Sequence, residues 1–299
     1  MDSSDDSRLL ENQKGKRSNG GHQTALSVSS HHAQVLLRGI PLGYIDRTGH
    51  LSVWNASKLI TETISIMNQR GFYHNKDVGN ETRRLFLGRQ KLVFSPRLHS
   101  DISKIMDTNI LVNATPGKVG KSSKTMNMKI TDESGVMLIK GTFTAILFDT
   151  ETKRAVPFPK WYVEKFNSTL SYDDNGHIQA KNDVPSYAYK TQLKVRHSDM
   201  DSNMHVSNTE YLRYCMETAT DASLSGYYNK YRRDMCWYPL LELDISYLAE
   251  SRAGEMLDIY TWQDQNDIHF IYFAIHRDGT AIAVAAFEFG FDEVTSSNL

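Results

Sequence analysis

The feature that most constrains this chain is an internal repeat. Three polar residues of the first half recur in the second half at a constant offset of 155 residues, as the pairs Asp46 and Asp201, His50 and His205, and Ser52 and Ser207. In both halves the triplet follows a strand-like stretch and precedes a helical pattern. Self-similarity of this kind indicates a fold built from two related units. The sequence therefore predicts a tandem duplication.

Each copy is predicted to consist of one long helix and several strands. In the first copy the helix runs from about Ser52 to Gly71, and in the second from Ser207 to about Gly226. Stretches with strand-like patterning surround them, at 85–98, 109–114, 124–131, 136–148, 187–195, 241–248, 256–262, 268–276 and 281–289. This order predicts an α+β fold in which a curved antiparallel sheet wraps around each helix. The two sheets are expected to join edge to edge, which removes exposed edges.

The domain boundaries follow from composition. Residues 1–33 are rich in polar residues and are expected to form a flexible tail, because they cannot bury enough apolar surface to become ordered. Residues 34–167 would form the first domain and 168–186 a polar linker. The second domain would span 187–293, and 294–299 would be a short tail.

Composition excludes several classes of protein. The chain has 299 residues with 34 basic and 35 acidic side chains, so it lacks the basic excess that binding to nucleic acid requires. Its longest apolar run, Ala281 to Phe287, is far shorter than the roughly 20 residues of a membrane span. Two cysteines cannot form a disulfide framework. So few cysteines are typical of a protein in a reducing compartment, so we expect a cytoplasmic location. The last residues, Ser297-Asn298-Leu299, are a degenerate form of a peroxisomal address.

The polar residues with the clearest chemical potential precede the second helix. Asp201, Asn203 and His205 are spaced two apart, so in an extended loop their side chains would share one side. A helix start offers amide donors that stabilise a developing oxyanion, and histidine exchanges protons near neutral pH. Ser207 and Glu210 have the spacing of a capping box. A loop that merely caps the helix remains the alternative interpretation.

A resemblance favours the catalytic interpretation. The stretch RHSDMDSNMHVSN, from Arg196 to Asn208, together with Tyr211, resembles the D-x-N-x-H-V-N-N-x-x-Y signature of the acyl-ACP thioesterases of fatty acid synthesis. Members of that family are tandem double hot-dog proteins whose second copy holds the active site. The stretch LDISYLAES, residues 243–251, resembles the element that carries their catalytic glutamate, which becomes Glu250 here. Ser251 stands where the family often has cysteine.

The resemblance implies hydrolysis of a fatty acyl thioester, carried by ACP or CoA, to a free fatty acid and the carrier thiol. It implies no cofactor and no metal. Glu250 would activate water, although direct attack by a carboxylate on the carbonyl is an open alternative. The other expected roles are substrate contact by Asn203 and His205, orientation by Asp201, and an oxyanion site formed by the backbone amides of Val206 and Ser207.

Two further features of the sequence concern binding. In the first copy Thr48 replaces the asparagine, so we expect this half to be a binding or structural partner and not a second active site. A basic cluster, Lys230, Arg232 and Arg233, follows the second helix and suits the acidic surface of an acyl carrier protein or the phosphates of CoA. A solvated loop would explain this cluster equally well.

Two other functions fit the predicted fold. Hot-dog enoyl hydratases also place an Asp and a His before a helix, but their loop usually reads D-x-N-P-x-H, one residue longer and with proline. A catalytically silent double hot-dog that binds acyl carriers or lipids would not need all four polar positions. Hydrolysis is the favoured interpretation, with a homodimer as a further expectation.

Overall fold

The computed structural model describes residues 23–166 and 179–291. Twelve strands lie in these ranges: β1 (Gln23–Val28), β2 (Ala33–Arg38), β3 (Arg83–Phe94), β4 (Asn109–Val119), β5 (Ser123–Asp132), β6 (Met137–Asp149), β7 (Arg154–Ala155), β8 (Tyr189–Lys194), β9 (Leu240–Tyr247), β10 (Met256–Gln263), β11 (Phe270–Arg277) and β12 (Thr280–Phe289). The α-helices of the same ranges are α1 (Val53–Gln69), α2 (Asn75–Val78), α3 (Arg97–Ser100), α4 (Ile102–Ile105), α5 (Lys160–Phe166) and α6 (Asn208–Leu224).

The described strands form one continuous antiparallel sheet. Its order is β1-β2-β4-β5-β6-β3-β9-β12-β11-β10-β8, with β7 paired to β6 outside this path. The two halves meet where β3 pairs with β9, over the register from Arg89 opposite Ser246 to Val93 opposite Glu242. The predicted edge-to-edge union of the two sheets is therefore confirmed.

The register of this junction also supports the duplication. Gln90 pairs directly with Ile245, and these two residues are themselves separated by the repeat offset of 155. The helices α1 and α6 have 17 residues each, and their first residues, Val53 and Asn208, are separated by the same offset. The Gln90–Ile245 pair thus marks a pseudo-twofold axis that relates the two copies.

The core lies between the sheet and the two long helices. Helix α1 contacts β1 and β2, α6 contacts β8 and β10, and the two helices pack against each other. The buried face of α1 includes Ala56, Leu59 and Ile60, and that of α6 includes Leu212 and Cys215. A long helix held against a curved antiparallel sheet, twice in one chain, is the predicted double hot-dog architecture.

The structure corrects one boundary of the predicted tail. Residues 23–28, assigned to the tail, form β1, which pairs with β2 from Gln23 opposite Leu37 to Val28 opposite Ala33. The segment QTALSV has three apolar residues among its six but no alternating pattern, and as an edge strand it keeps its side chains partly exposed. Residues 1–22, most of the predicted linker and the carboxyl-terminal tripeptide Ser297-Asn298-Leu299 lie outside the described residues. No helix in the described part of the chain is long and apolar enough to cross a membrane.

The position of β1 yields a test by truncation. Deletion of residues 2–30 removes β1 and leaves the amide and carbonyl groups of β2 unpaired along one edge, whereas deletion of residues 2–22 keeps this pairing. In a thermal unfolding experiment we expect the protein with the longer deletion to have a melting temperature several degrees below that of the protein with the shorter deletion. Equal melting temperatures would contradict a stabilising role for β1.

Candidate active site

The Asp201–His205 segment is a tight turn, not the extended loop expected from the spacing. The Asp201 amide donates to the His205 carbonyl oxygen at 2.8 Å, and Met200 and Val206 form an isolated bridge that closes the turn. Met204 adopts a left-handed conformation with φ of 63° and is exposed.

The first copy contains the same turn. The Asp46 amide donates to the His50 carbonyl oxygen at 2.7 Å, and Ile45 and Leu51 form the corresponding bridge. Gly49, at the repeat position of Met204, has a φ of 86°. The backbone geometry of the loop is thus a property of the fold, and the two copies differ in the side chains that it carries.

Asp201 and Asn203 interact with each other. The Asn203 amide donates to Asp201 Oδ1 at 2.8 Å, and Asn203 Nδ2 donates to Asp201 Oδ2 at 3.3 Å. Because Nδ2 is held by the carboxylate, the Asn203 side-chain oxygen is turned away from Asp201 and can accept a hydrogen bond from water or substrate. Asp201 therefore positions the asparagine.

His205 and Glu250 are brought into direct contact. His205 Nε2 lies 2.9 Å from Glu250 Oε2, and Arg252 lies 3.3 Å from both Glu250 Oε1 and His205 Nε2. A carboxylate only accepts hydrogen bonds, so the imidazole Nε2–H donates to Glu250. Glu250 is about two-fifths exposed, which leaves its oxygens accessible to water.

Glu250 lies in the loop between β9 and β10, three residues past the end of β9. The amides of Leu248 and Ala249 donate to the Ile282 carbonyl oxygen of β12, at 2.8 and 3.1 Å. The Arg277 guanidinium donates to the Glu250 carbonyl oxygen at 2.7 Å. These bonds fix the backbone on both sides of Glu250. The Glu250 side chain therefore contacts His205 from a loop whose backbone is hydrogen-bonded to β11 and β12.

The amides of Val206 and Ser207 are not available as an oxyanion site. The Val206 amide donates to the Ser251 carbonyl oxygen and the Ser207 amide to the Asp199 carbonyl oxygen, both at 2.9 Å. The expectation that these two amides bind the carbonyl oxygen of the substrate is therefore corrected. They join the turn to the Glu250 loop and to the preceding segment instead.

The predicted capping box is also absent. The Ser207 side chain makes no capping hydrogen bond to the backbone of α6 and contacts the Thr209 hydroxyl at 3.0 Å. Glu210 pairs with Arg213 one turn later, at 2.5 Å. The helix nevertheless begins at Asn208, one residue after the predicted start at Ser207, and the Glu210 amide of its first turn donates to the Ser207 carbonyl oxygen at 2.9 Å.

Ser251 is buried and bonded to a tyrosine. Its hydroxyl lies 2.8 Å from the Tyr211 hydroxyl, and both residues are almost completely excluded from solvent. Burial raises the pKa of Tyr211 above its usual value, so this hydroxyl remains protonated at neutral pH. Ser251 therefore anchors the Glu250 loop on α6 and is not exposed as a nucleophile.

Asp199 is a structural residue that the sequence does not reveal. Its carboxylate accepts hydrogen bonds from Arg213 at 2.9 Å, Tyr214 at 2.8 Å and the Arg196 amide at 2.9 Å, and it is buried. The Asp199 carbonyl in turn holds the Ser207 amide. Asp199 thus fixes the segment before the turn against α6.

The basic cluster does not lie at this end of α6. Lys230, Arg232 and Arg233 follow the carboxyl end of the helix, whereas His205 precedes its amino end, and 17 helical residues span about 25 Å. Arg232 donates to the carbonyl oxygens of Tyr228 and Tyr231, which directs its guanidinium back to the loop. The expected carrier cluster is therefore remote from the His205–Glu250 pair.

Within residues 23–166 and 179–291, no group of three or more His, Cys, Asp or Glu side chains is arranged to hold a metal ion. The His205–Glu250 pair is instead accompanied by Arg252, a cation. Proton transfer and hydrogen bonding are the chemistry that these side chains can supply.

A match to a known family model covers the segment that carries this site. Residues 195–294, which include the turn, α6 and the Glu250 loop, match the family model described as the thioesterase-like superfamily. No curated protein sequence matches the chain significantly. The second half thus carries the thioesterase-like match, and the whole chain has the double hot-dog fold.

Solved structures extend the likeness in fold to most of the chain. An acyl-ACP thioesterase from Bacteroides thetaiotaomicron is 12% identical with a TM-score of 0.67, over 87% of this chain and 98% of that one. The 12:0-ACP thioesterase from Umbellularia californica is 15% identical with a TM-score of 0.70, over 89% and 99%. The resemblance to acyl-ACP thioesterases expected from the sequence signature is therefore confirmed in the fold.

The burial of Asp199 yields a test of stability. Asp199→Ala leaves Arg213 and Tyr214 without their shared acceptor in a buried site, so we expect the free energy of unfolding to fall by about 3 kcal/mol. Asp201→Ala, two residues away on the exposed side of the turn, is the matched control and should change it by less than about 1 kcal/mol. Chemical denaturation measures both, and equal losses would contradict the anchoring role of Asp199.

Proposed function

We propose that this protein hydrolyses fatty acyl thioesters, carried by ACP or CoA, to a free fatty acid and the carrier thiol. The observation that carries the proposal is the 2.9 Å contact between His205 and Glu250, directly before a helix start and within the stretch that matches the thioesterase-like superfamily. Two of the structural neighbours are thioesterases that act on acyl-ACP. Fatty acid synthesis or lipid metabolism would be the setting.

In the proposed reaction Glu250 acts as the general base. A water molecule bound to the Glu250 carboxylate gives up a proton to it while its oxygen attacks the carbonyl carbon of the thioester. The C–S bond of the tetrahedral intermediate then breaks, and the proton passes from Glu250 to the departing thiolate. His205 donates its Nε2–H to Glu250 and keeps the carboxylate oriented.

The substrate contacts follow from the same geometry. The side-chain oxygen of Asn203, turned away from Asp201, would accept a hydrogen bond from the attacking water or from an amide of the substrate. For the oxyanion we propose the amides of Asn208 and Thr209, in the first turn of α6, in place of Val206 and Ser207. A helix start favours negative charge through its dipole and its unpaired amides.

The proposed base is tested by Glu250→Gln. This change keeps the shape of the side chain and removes its basicity, so we expect kcat on acyl-ACP to fall on the order of 100-fold with an unchanged melting temperature. Glu164→Gln, at an exposed position of α5, is the control and should retain full activity.

A catalytically silent lipid-binding protein would show a different result. In that case neither wild type nor Glu250→Gln would hydrolyse a panel of acyl-ACP and acyl-CoA substrates with different chain lengths. If wild type hydrolyses them and Glu250→Gln retains more than half of its turnover, Glu250 is not the base.

The proposed roles of Asn203 and His205 predict that their removal changes kcat much more than KM. Asn203 is proposed to contact the attacking water or the substrate and His205 to orient the base, so Asn203→Ala and His205→Ala should each lower kcat by about tenfold or more while KM changes little. Asn266→Ala and His32→Ala, at exposed positions, serve as controls. A rise in KM with unchanged kcat would indicate that these residues only bind substrate.

A further inference from the structure

An arginine that the proposed reaction does not use stands beside the His205–Glu250 pair. Arg252 Nη2 lies 3.3 Å from Glu250 Oε1 and 3.3 Å from His205 Nε2. The Arg252 side chain is 60% exposed, whereas that of Glu250 is 41% exposed and that of His205 is 21% exposed. The guanidinium is therefore in contact with the base and open to solvent at the same time.

The contact of Arg252 with the imidazole is not a hydrogen bond. His205 Nε2 carries the proton that it donates to Glu250, so it has no lone pair for a guanidinium N–H. Within the described residues, Glu250 is the only acidic side chain that forms an ion pair with Arg252. An exposed ion pair contributes only about 0–1 kcal/mol to stability. Stability of the fold is therefore a weak reason for an arginine at this position.

The backbone of Arg252 is held by a carboxylate that its side chain does not contact. The Arg252 amide donates to Glu255 Oε2 at 2.9 Å, and the same carboxylate is paired with Arg277 at 3.1 Å. Glu255 thus binds a backbone amide and another arginine. The guanidinium of Arg252 contacts Glu250 instead, from a backbone that is fixed.

Most hydrogen-bond donors of this guanidinium are unused. A guanidinium has five N–H groups in a planar fork, and those on Arg252 Nε and Nη1 meet no acceptor in the part of the chain that the structure describes. Both nitrogens adjoin Nη2 in the same plane. An oxygen atom that accepts from either of them therefore lies next to Glu250, the acceptor of Nη2.

The arginine at the repeat offset is used differently. Arg97 lies 155 residues before Arg252, and its guanidinium contacts two carboxylates, Asp132 at 3.0 Å and Asp101 at 3.6 Å. The Asp132 side chain is only 8% exposed, and water screens an ion pair less when one partner is buried. Arg97 is therefore engaged in structural ion pairs, whereas the charge of Arg252 remains accessible to a ligand.

The position of Arg252 matches the path of negative charge in the proposed reaction. Before the reaction this charge lies on the Glu250 carboxylate, in contact with the guanidinium. When water attacks, its proton passes to Glu250, its oxygen bonds to the carbonyl carbon, and the π electron pair moves onto the carbonyl oxygen. The negative charge thus moves from Glu250 to the oxyanion. A cation beside the base can interact with the charge at both places.

The phosphate of the carrier matches this arginine less well than the thioester does. In ACP and in CoA the thioester and the phosphate stand at opposite ends of the pantetheine arm. A water molecule about 2.8 Å from the carboxylate attacks a carbon about 3–3.5 Å away, so the carbonyl group lies within about 6 Å of Glu250. The reacting carbonyl is therefore the substrate group that a cation in contact with Glu250 meets.

We propose that Arg252 is a catalytic residue that stabilises the oxyanion of the thioester substrate through its unused N–H groups. Nη2 keeps its contact with Glu250, while an N–H of Nε or Nη1 donates to the carbonyl oxygen. A cation binds an oxyanion more strongly than a neutral carbonyl, so this contact adds to that of the Asn208 and Thr209 amides in the transition state. The role rests on the proposed thioesterase function.

Substitutions of Arg252 test this role in the hydrolysis of acyl-ACP. Arg252→Gln removes the charge, so we expect kcat to fall by about 100-fold, as for the loss of an oxyanion donor, with KM changed less than about threefold. Arg252→Lys keeps a charge without the fork and should lose about tenfold. Arg154→Gln, at an exposed position of β7, is the control and should retain full activity.

The ion pair is exposed, so all of these variants should fold with unchanged melting temperatures. An Arg252→Gln variant that folds and retains at least half of the wild-type kcat would overturn the proposal.

A double variant separates contact with the oxyanion from orientation of the base. In Glu250→Gln no carboxylate remains for Arg252 to orient, and the residual hydrolysis uses hydroxide or unassisted water. If Arg252 binds the oxyanion, addition of Arg252→Gln should slow this residual hydrolysis by a further factor of about ten or more. Equal residual rates in the single and double variants would mean that Arg252 acts only through Glu250, which would contradict the proposal.

The wild-type rates keep the two proposals distinguishable. If wild type hydrolyses no member of a panel of acyl-ACP and acyl-CoA substrates, the proposed function fails and the role of Arg252 fails with it. If wild type and Arg252→Gln hydrolyse these substrates at equal rates, the proposed function stands and only the role of Arg252 fails.

Discussion

The pairing of β3 with β9 is the interaction on which the rest of the structure depends. It joins two half-sheets that would otherwise each present an open edge. Across it, Arg89 forms a two-point ion pair with Asp244 at 2.7 and 2.8 Å, and the Asp244 side chain is almost completely buried. A buried carboxylate requires such a partner, so the ion pair resists separation or slippage of the two strands.

The symmetry imposed by this junction explains why the two copies share a loop but not a site. The Ser52 amide donates to the Tyr44 carbonyl oxygen, and its repeat partner Ser207 donates to that of Asp199. The backbone of the turn is therefore built identically twice, and its amides are used for structure in both copies. The side chains differ, because Asn203 and Glu250 of the second copy correspond to Thr48 and Ser95 of the first at the repeat offset.

Much of the fold was predictable because the signals are periodic. The offset of 155, the helix starts and the alternation along β9 all follow from local sequence. The edge strand β1 was missed because its partly exposed positions lack an apolar pattern, and only its pairing with β2 defines it. Edge strands gain their stability from a neighbour, which a local pattern does not show.

The candidate site was predictable in its members but not in its contacts. Asp201, Asn203 and His205 stood out by spacing, whereas Glu250 was identified only by resemblance. The roles of Asp199 and Arg252 depend on partners that folding brings near, such as Arg213, 14 residues after Asp199. No local pattern marks a carboxylate for burial, so this anchor could be found only in three dimensions.

The contacts of Glu250 bear on how its carboxylate would act. Oε2 accepts from His205 and Oε1 is held by Arg252, so each oxygen already has one partner. Accepting a proton from water needs only a further lone pair on either oxygen. Direct attack on a carbonyl carbon would use the same kind of lone pair, but the oxygen would have to approach the substrate to bonding distance. Ser251 offers no covalent route, because its hydroxyl is buried against Tyr211. Activation of water, as proposed, would therefore leave both hydrogen bonds of the Glu250 carboxylate in place.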